Sequence, residues 1–276
     1  MDTFGTRLRA AMDVRGPLCV GIDPHAGLLR DWGLDDDPAG LERFTMTCVE
    51  ALAGEIAILK PQSAFFERHG SRGIAVLEKA VAAARDAGAL VLLDAKRGDI
   101  GSTMQGYADA YLDQTSPMAV DAVTVSPYLG FESLRPMLDT AAANAAGVFV
   151  LGLTSNPEGS QVQHARNGDV LVAQEILDAV AKENSGQVPM GSVGAVVGAN
   201  LASLAADVAV NGPILAPGFG AQGGTVDNLR ALFADVLDLL LPTTSRDVLK
   251  HGPHVAGLQE AARRASEDVS ALRDAV

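Results

Sequence analysis

Eight short apolar runs recur along the whole chain, at residues 18–22, 56–59, 90–93, 122–125, 148–153, 193–197, 214–216 and 236–241. Their length suits buried strands better than helices. Segments rich in Ala, Leu, Glu and Arg separate them, for example 73–87, 133–145, 170–183 and 225–234. Strand alternating with helix over the full length implies a parallel sheet, because parallel neighbours need a long crossover between them. Eight such units in 276 residues match a (β/α)8 TIM barrel, typically about 250 residues. A doubly wound open sheet is the alternative. No Ser/Pro-rich linker or composition break divides the chain, so one barrel domain over 1–276 is expected, with a short N-terminal helix and a final helix near 255–274. Arg263, Arg264, Glu267 and Asp268 are read as the solvated face of that last helix.

The run LVLLDAKRGDI, residues 90–100, carries the strongest chemical signal. Residues 89–93 are apolar at every position, as in a strand buried on both faces of a parallel sheet. Residues two apart in a strand share a face, so Asp94 and Lys96 are expected to project together while Ala95 turns away. Gly98 is expected to supply a sharp turn through backbone angles closed to other residues, carrying Asp99 out of line. By itself a Lys between two Asp residues fits a surface ion pair equally well, contributing at most about 1 kcal/mol. Its place at the C-terminal end of a buried strand is where barrels and open sheets put their chemistry.

If the barrel holds, the other strand ends face the same mouth. They read Gly21-Ile22-Asp23-Pro24-His25, Lys60-Pro61, Ser126-Pro127, Thr154-Ser155-Asn156-Pro157, Pro217-Gly218-Phe219-Gly220 and Thr243-Thr244-Ser245-Arg246. Lys60 taken alone is a solvated strand terminus, and beside Asp94 it becomes a paired cation. His25 has no partner in the sequence and is read as a loop histidine. The segment PGFGAQGG, residues 217–224, offers glycine amides to an anion, with a helix expected from about Thr225. Together with Ser245 and Arg246 after the eighth strand it occupies the usual phosphate position of barrels. A guanidinium can fork two hydrogen bonds onto one phosphate, which an ammonium cannot. Residues 154–169 form a long connection with lid character, from which Gln161 and Gln163 can reach a ligand.

A formal net charge of −13 argues against nonspecific nucleic-acid binding, which depends on a basic surface. A small anionic ligand needs only a local cluster of Lys60, Lys96, Arg97 and Arg246. Cys19 and Cys48 show neither metal-ligand spacing nor a disulfide framework, which fits a reducing, cytoplasmic compartment. The N-terminus lacks the apolar core of a signal peptide, and no run approaches the roughly 18 residues of a membrane span.

These residues resemble the orotidine 5'-phosphate decarboxylase family, in its longer bacterial subgroup, over nearly the whole chain. DAKRGDI with Thr103 is the most specific part, supported by GIDP at 21–24, KPQSAFFE at 60–67, TVSPY at 124–128, TSNP at 154–157 and PGFGAQGG. The resemblance implies a dimeric barrel that acts on orotidine 5'-phosphate with no metal and no organic cofactor. It implies that Lys60, Asp94 and Lys96 act in one subunit and Asp99 in the neighbouring site, with Lys96 as proton donor. Asp23 and Thr103 would hold ribose or nearby groups, and Ser126 would contact the pyrimidine. Pro217, Gly218, Gly220, Gln222, Gly223, Ser245 and Arg246 would hold the phosphate. Shorter members carry an Arg soon after the Pro-Gly of strand seven, where this chain has Phe219-Gly220, so Arg246 takes the phosphate role by position.

Three other readings share parts of this pattern. A related sugar-phosphate decarboxylase uses the Asp-x-Lys-x-x-Asp spacing with Mg²⁺, a Schiff-base aldolase also uses a strand-end Lys, and a noncatalytic nucleotide-binding protein can keep the fold. Binding alone does not call for a carboxylate facing an anionic substrate.

Overall fold

A computed structural model describes residues 1–221 and 223–272. Eight parallel strands close into a barrel: β1 (Cys19–Ile22), β2 (Ile58–Pro61), β3 (Leu90–Arg97), β4 (Ala122–Val125), β5 (Gly147–Leu153), β6 (Val193–Val197), β7 (Ile214–Pro217) and β8 (Leu240–Thr244). Each strand pairs with its neighbours in sequence, and β8 returns to β1 through Cys19 opposite Thr243 and Val20 opposite Thr244. The helices are α1 (Phe4–Arg15), α2 (Ala26–Asp31), α3 (Pro38–Leu52), α4 (Ser63–Glu67), α5 (Gly70–Asp86), α6 (Gly101–Leu112), α7 (Arg135–Ala143), α8 (Ser160–Gln163), α9 (Val172–Glu183), α10 (Val226–Phe233), α11 (Arg246–Leu249) and α12 (Val255–Ser270).

Period-two alternation divides the barrel interior into two storeys. Ile58, Leu90, Leu92, Ala122, Phe149, Val196, Leu215 and Leu241 pack inside with Phe4, Leu8 and Met12 of α1. Helix α1 seals the N-terminal mouth, its Phe4 ring edge-on to Phe149 at a centroid distance of 6.0 Å. Two residues further along the same strand faces stand Lys60, Asp94, Thr124 and Thr243, all buried and all polar. Apolar floor and polar upper layer thus follow from one alternation carried across four strands. The outward faces of the strands pack on the helices in a second, larger cluster, where each fully buried Leu, Val or Phe contributes about 1.5–3 kcal/mol.

Several boundaries differ from the sequence reading, each for a local reason. The eighth strand begins at Leu240, because residues 234–239 form a kinked 3-10 turn with Val236 at φ −138; an apolar run of this kind does not reveal its period. Lys60, Pro217, Thr243 and Thr244 lie within strands, so these strands run one to three residues beyond their apolar segments. No residue of 198–213, between β6 and β7, is helical. The long connection after β5 contains a short 3-10 turn, α8 and a two-stranded antiparallel hairpin (Arg166–Asn167 with Val170–Leu171). The last helix ends at Ser270. No helix among the described residues is long and apolar enough to cross a membrane.

Candidate active site

The centre of the site is an irregularity in β3. Leu93 pairs with Val123 and Arg97 with Val125, so β3 spans four steps where β4 spans two, and Asp94, Ala95 and Lys96 bulge from the ladder. Lys96 adopts a left-handed backbone, φ 48, at a cost of about 1–3 kcal/mol for a residue with a side chain. Gly98 does not supply the turn as expected: it is absent from the positive-φ residues. A side chain there would place its Cβ 2.5 Å from the Ser126 carbonyl oxygen, so the glycine serves close backbone approach.

Three charged side chains meet at this bulge. Lys60 Nζ donates to Asp94 Oδ2 at 2.9 Å, Lys96 Nζ to Asp94 Oδ1 at 2.6 Å, and Thr124 Oγ1 to Asp94 Oδ1 at 2.9 Å. Lys60 and Asp94 are buried, whereas the Lys96 side chain is 45% exposed and opens into the cavity. Burial raises the Asp94 carboxyl, but the charges of Lys60 and then Lys96, with their hydrogen bonds, outweigh it and hold the group below the usual carboxylate range. Burial likewise disfavours the Lys60 ammonium, and Asp94 and Asp23 reverse that, so its pKa is raised. Cys19 lies in this field, and burial pushes its thiol up to about 12, which removes it as a nucleophile at neutral pH.

A cavity of about 740 Å3, open solvent included, lies over this centre and is lined by Asp23, His25, Lys60, Gln62, Asp94, Pro217, Gly218, Phe219, Ala221 and residues 243–246. Asp23 Oδ1 is buried there with no hydrogen-bond partner among the described residues, an acceptor awaiting a donor. Two further cavities continue from it. One joins Asp94, Lys96 and Thr124 to Thr154, Ser155 and Asn156, and the next runs from Lys96 past Ser126, Pro127 and Tyr128 under Gln163 and Ile176.

The glycine-rich turn is built differently from the expected amide cradle. The amides of Gly220, Gly223 and Gly224 donate to carbonyls within the turn, and that of Ala221 to Asp247. Gly220, at φ +81, leaves no room for a side chain, whose Cβ would lie 2.1 Å from the Asp247 carboxylate. Arg246 lines the cavity, and its guanidinium has no hydrogen bond or ion pair among the described residues.

Lys60, Asp94, Lys96, Asp23, Pro217, Gly218, Ser245 and Arg246 therefore share one continuous groove. Ser126 lines its outer branch. Gly220 and Gly223 shape the turn beside it. Asp99 and Thr103 are not brought to the groove: Asp99 accepts from the Ile100 amide at 2.8 Å, and Thr103 is exposed on α6. Gln222 lies outside the described residues. Gln163 braces Thr154 through two hydrogen bonds, and Gln161 is exposed. Sequence reading gave Thr124 and Ser155 no site role and took His25, which lines the cavity, for a loop histidine. Thr124 was detectable, since Ala122 facing the interior puts Thr124 there too.

A parallel barrel with a Lys-Asp-Lys cluster at its C-terminal mouth, beside an arginine that is unpaired among the described residues, defines an enzyme of the barrel decarboxylase class. The family model described as "Orotidine 5'-phosphate decarboxylase / HUMPS family" matches residues 16–261, and this chain belongs to that family. It is 59% identical to the orotidine 5'-phosphate decarboxylase of Streptomyces coelicolor over 98% of both chains, and 62% identical to that of a Nocardioides species over 91% of this chain and 93% of the relative. A Streptomyces avermitilis crystal structure assigned to the same enzyme overlays with a TM-score of 0.97 at 58% identity, covering 99% of this chain and 96% of the other. The Leishmania donovani OMP decarboxylase overlays with a TM-score of 0.74 at 28% identity, covering 99% of each.

Proposed function

We propose that this chain decarboxylates orotidine 5'-phosphate to uridine 5'-phosphate in de novo pyrimidine synthesis, using placed charge alone. Loss of carbon dioxide from C6 leaves an electron pair in the ring plane with no delocalisation to absorb it. In this reading the substrate carboxylate lies against Asp94, and the C6–carboxyl bond breaks to leave that pair facing the Lys96 ammonium. A Lys96 N–H proton then passes to C6, and solvent reprotonates the amine. Two unit charges about 4 Å apart interact by about 4 kcal/mol at an effective dielectric near 20, about three powers of ten in rate. Repulsion is thus one contribution among several, and phosphate binding supplies free energy for holding the carboxylate there.

The observation that carries this reading is the Asp94 carboxylate accepting from both Lys60 Nζ and Lys96 Nζ, the latter open to the cavity. Arg246 suits the phosphate, the unpartnered Asp23 oxygen suits a ribose hydroxyl, and Ser126 with Ser155 and Asn156 suits the polar edge of the pyrimidine. Asp99 and Thr103 act in the neighbouring subunit of a homodimer. Support comes from Asp99 standing outside its own groove, next to the exposed apolar Ile100. The chain is read as one barrel domain of a cytoplasmic enzyme, in keeping with two buried free thiols.

A metal-dependent sugar-phosphate decarboxylase fits less well, because both Asp94 oxygens already accept from ammonium groups. Incubation with orotidine 5'-phosphate in a chelator, followed by ultraviolet absorbance, tests the choice. Full turnover is expected; chelator-sensitive activity, or none, would defeat the proposal.

A further inference from the structure

We infer that the Thr124 hydroxyl is a positioning group, holding both Asp94 and Lys96 in their reactive arrangement across the β3 bulge; its catalytic meaning rests on the function proposed above. A hydroxyl has one proton to donate and two lone pairs to accept with. Thr124 Oγ1 donates to Asp94 Oδ1 at 2.9 Å, and accepts from the backbone amides of Ala95 at 3.0 Å and Lys96 at 2.9 Å. Its hydrogen-bonding capacity is therefore full.

The two amides belong to the residues that the bulge removes from the β3–β4 ladder. Thr124 is fully buried, so no bulk water replaces a lost partner, and buried amides left unpaired are costly. Lys96 is the residue held at φ 48, a conformation that persists only where the surroundings over-determine it. One oxygen thus fixes the backbone that aims the Lys96 ammonium and one of the two oxygens of the carboxylate beside it. An aliphatic side chain of equal volume would fill the space and do neither. Thr124 lines the branch of the groove with Ser155 and Asn156, away from Arg246, so its loss should affect the chemical step more than anchoring of the phosphate.

The test compares Thr124→Ser and Thr124→Ala, which differ by one oxygen. We expect the serine variant to keep kcat for orotidine 5'-phosphate within about threefold of the parent, and the alanine variant to lose about 10- to 100-fold. Calorimetric binding of uridine 5'-phosphate should stay within about threefold in both. If the alanine variant does not fold, Thr124→Cys takes its place, with a weak donor and acceptor in similar space and the same expected loss. Independently of turnover, hydrogen exchange at the Ala95 and Lys96 amides should accelerate in the alanine or cysteine variant and not in the serine variant. Equal kcat in the serine and alanine variants, or unchanged exchange at those amides, overturns the inference. A parent protein that leaves orotidine 5'-phosphate untouched overturns the proposed function instead, and the exchange measurement still decides the positioning role.

Discussion

Asp94 and Lys96 stand two positions apart in one strand, yet their charged atoms meet at 2.6 Å. Extended residues at that spacing have backbones about 6.6 Å apart, and long side chains on one strand face usually stand side by side. The left-handed Lys96 backbone turns its side chain back onto the carboxylate, so the pair is assembled before any ligand arrives.

Lys96→Ala should abolish nearly all turnover while leaving a folded dimer by circular dichroism and gel filtration, since the Lys96 side chain is half-exposed and its removal opens no core cavity. Mixing Lys96→Ala with Asp99→Ala and allowing subunits to exchange should restore activity through hybrid dimers that hold one intact site. Substantial turnover by Lys96→Ala alone would remove it as proton donor, and no recovery on mixing would place Asp99 outside the partner's site.

Asp94 is held below its ordinary value of 3.8. A group depressed in this way stabilises the fold at every pH above its unfolded value, and that stabilisation is lost as pH falls through the folded value. Asp94→Asn also leaves Lys60 buried without its counter-charge, a loss of about 3–5 kcal/mol. The parent should melt well above Asp94→Asn from pH 7 down to about pH 4, by scanning calorimetry, and the gap should narrow steadily below pH 3.8. A gap that stays constant down to pH 2 would mean that Asp94 is not ionised between the two lysines.

Arg246→Ala should weaken uridine 5'-phosphate binding about 10- to 100-fold, the value of one or two charge-assisted hydrogen bonds. Binding of uridine, which lacks the phosphate, should be unchanged. Equal losses for the two ligands in titration calorimetry would take Arg246 out of the phosphate contact.

Gly98→Ala sets a methyl 2.5 Å from the Ser126 carbonyl oxygen, a backbone atom with no rotamer to relax into. The cost should be about 1–3 kcal/mol, with a thermal midpoint lower by several degrees at roughly 2–4 °C per kcal/mol. An unchanged midpoint would show that β3 and β4 have slack at this point.

The barrel was legible because burial on both faces writes continuous apolar runs into parallel strands, as at 90–93 and 193–197. Strand ends were legible only in part. Lys60 and Thr243 interrupt the apolar pattern while remaining in the ladder, so hydrophobicity stops before the hydrogen bonds do. The pairing of Lys60 with Asp94 followed from two neighbouring strand ends. The bulge did not, since nothing in DAKR marks a left-handed lysine. The turn at 217–224 misled for a related reason: glycines mark where a backbone can bend, and here several amides close the turn on itself.

The surplus in β3 is two residues, an even number, and this preserves the parity of the strand. Leu92 faces the barrel axis before the irregularity, and Arg97 still points outward after it, to Glu67 and Tyr111. Loss or gain of a single residue here would exchange inside for outside, driving the guanidinium into the pocket and the ammonium into the helical shell. Replacing side chains leaves the facing of this segment intact, whereas changing its length by one would invert this wall of the cavity.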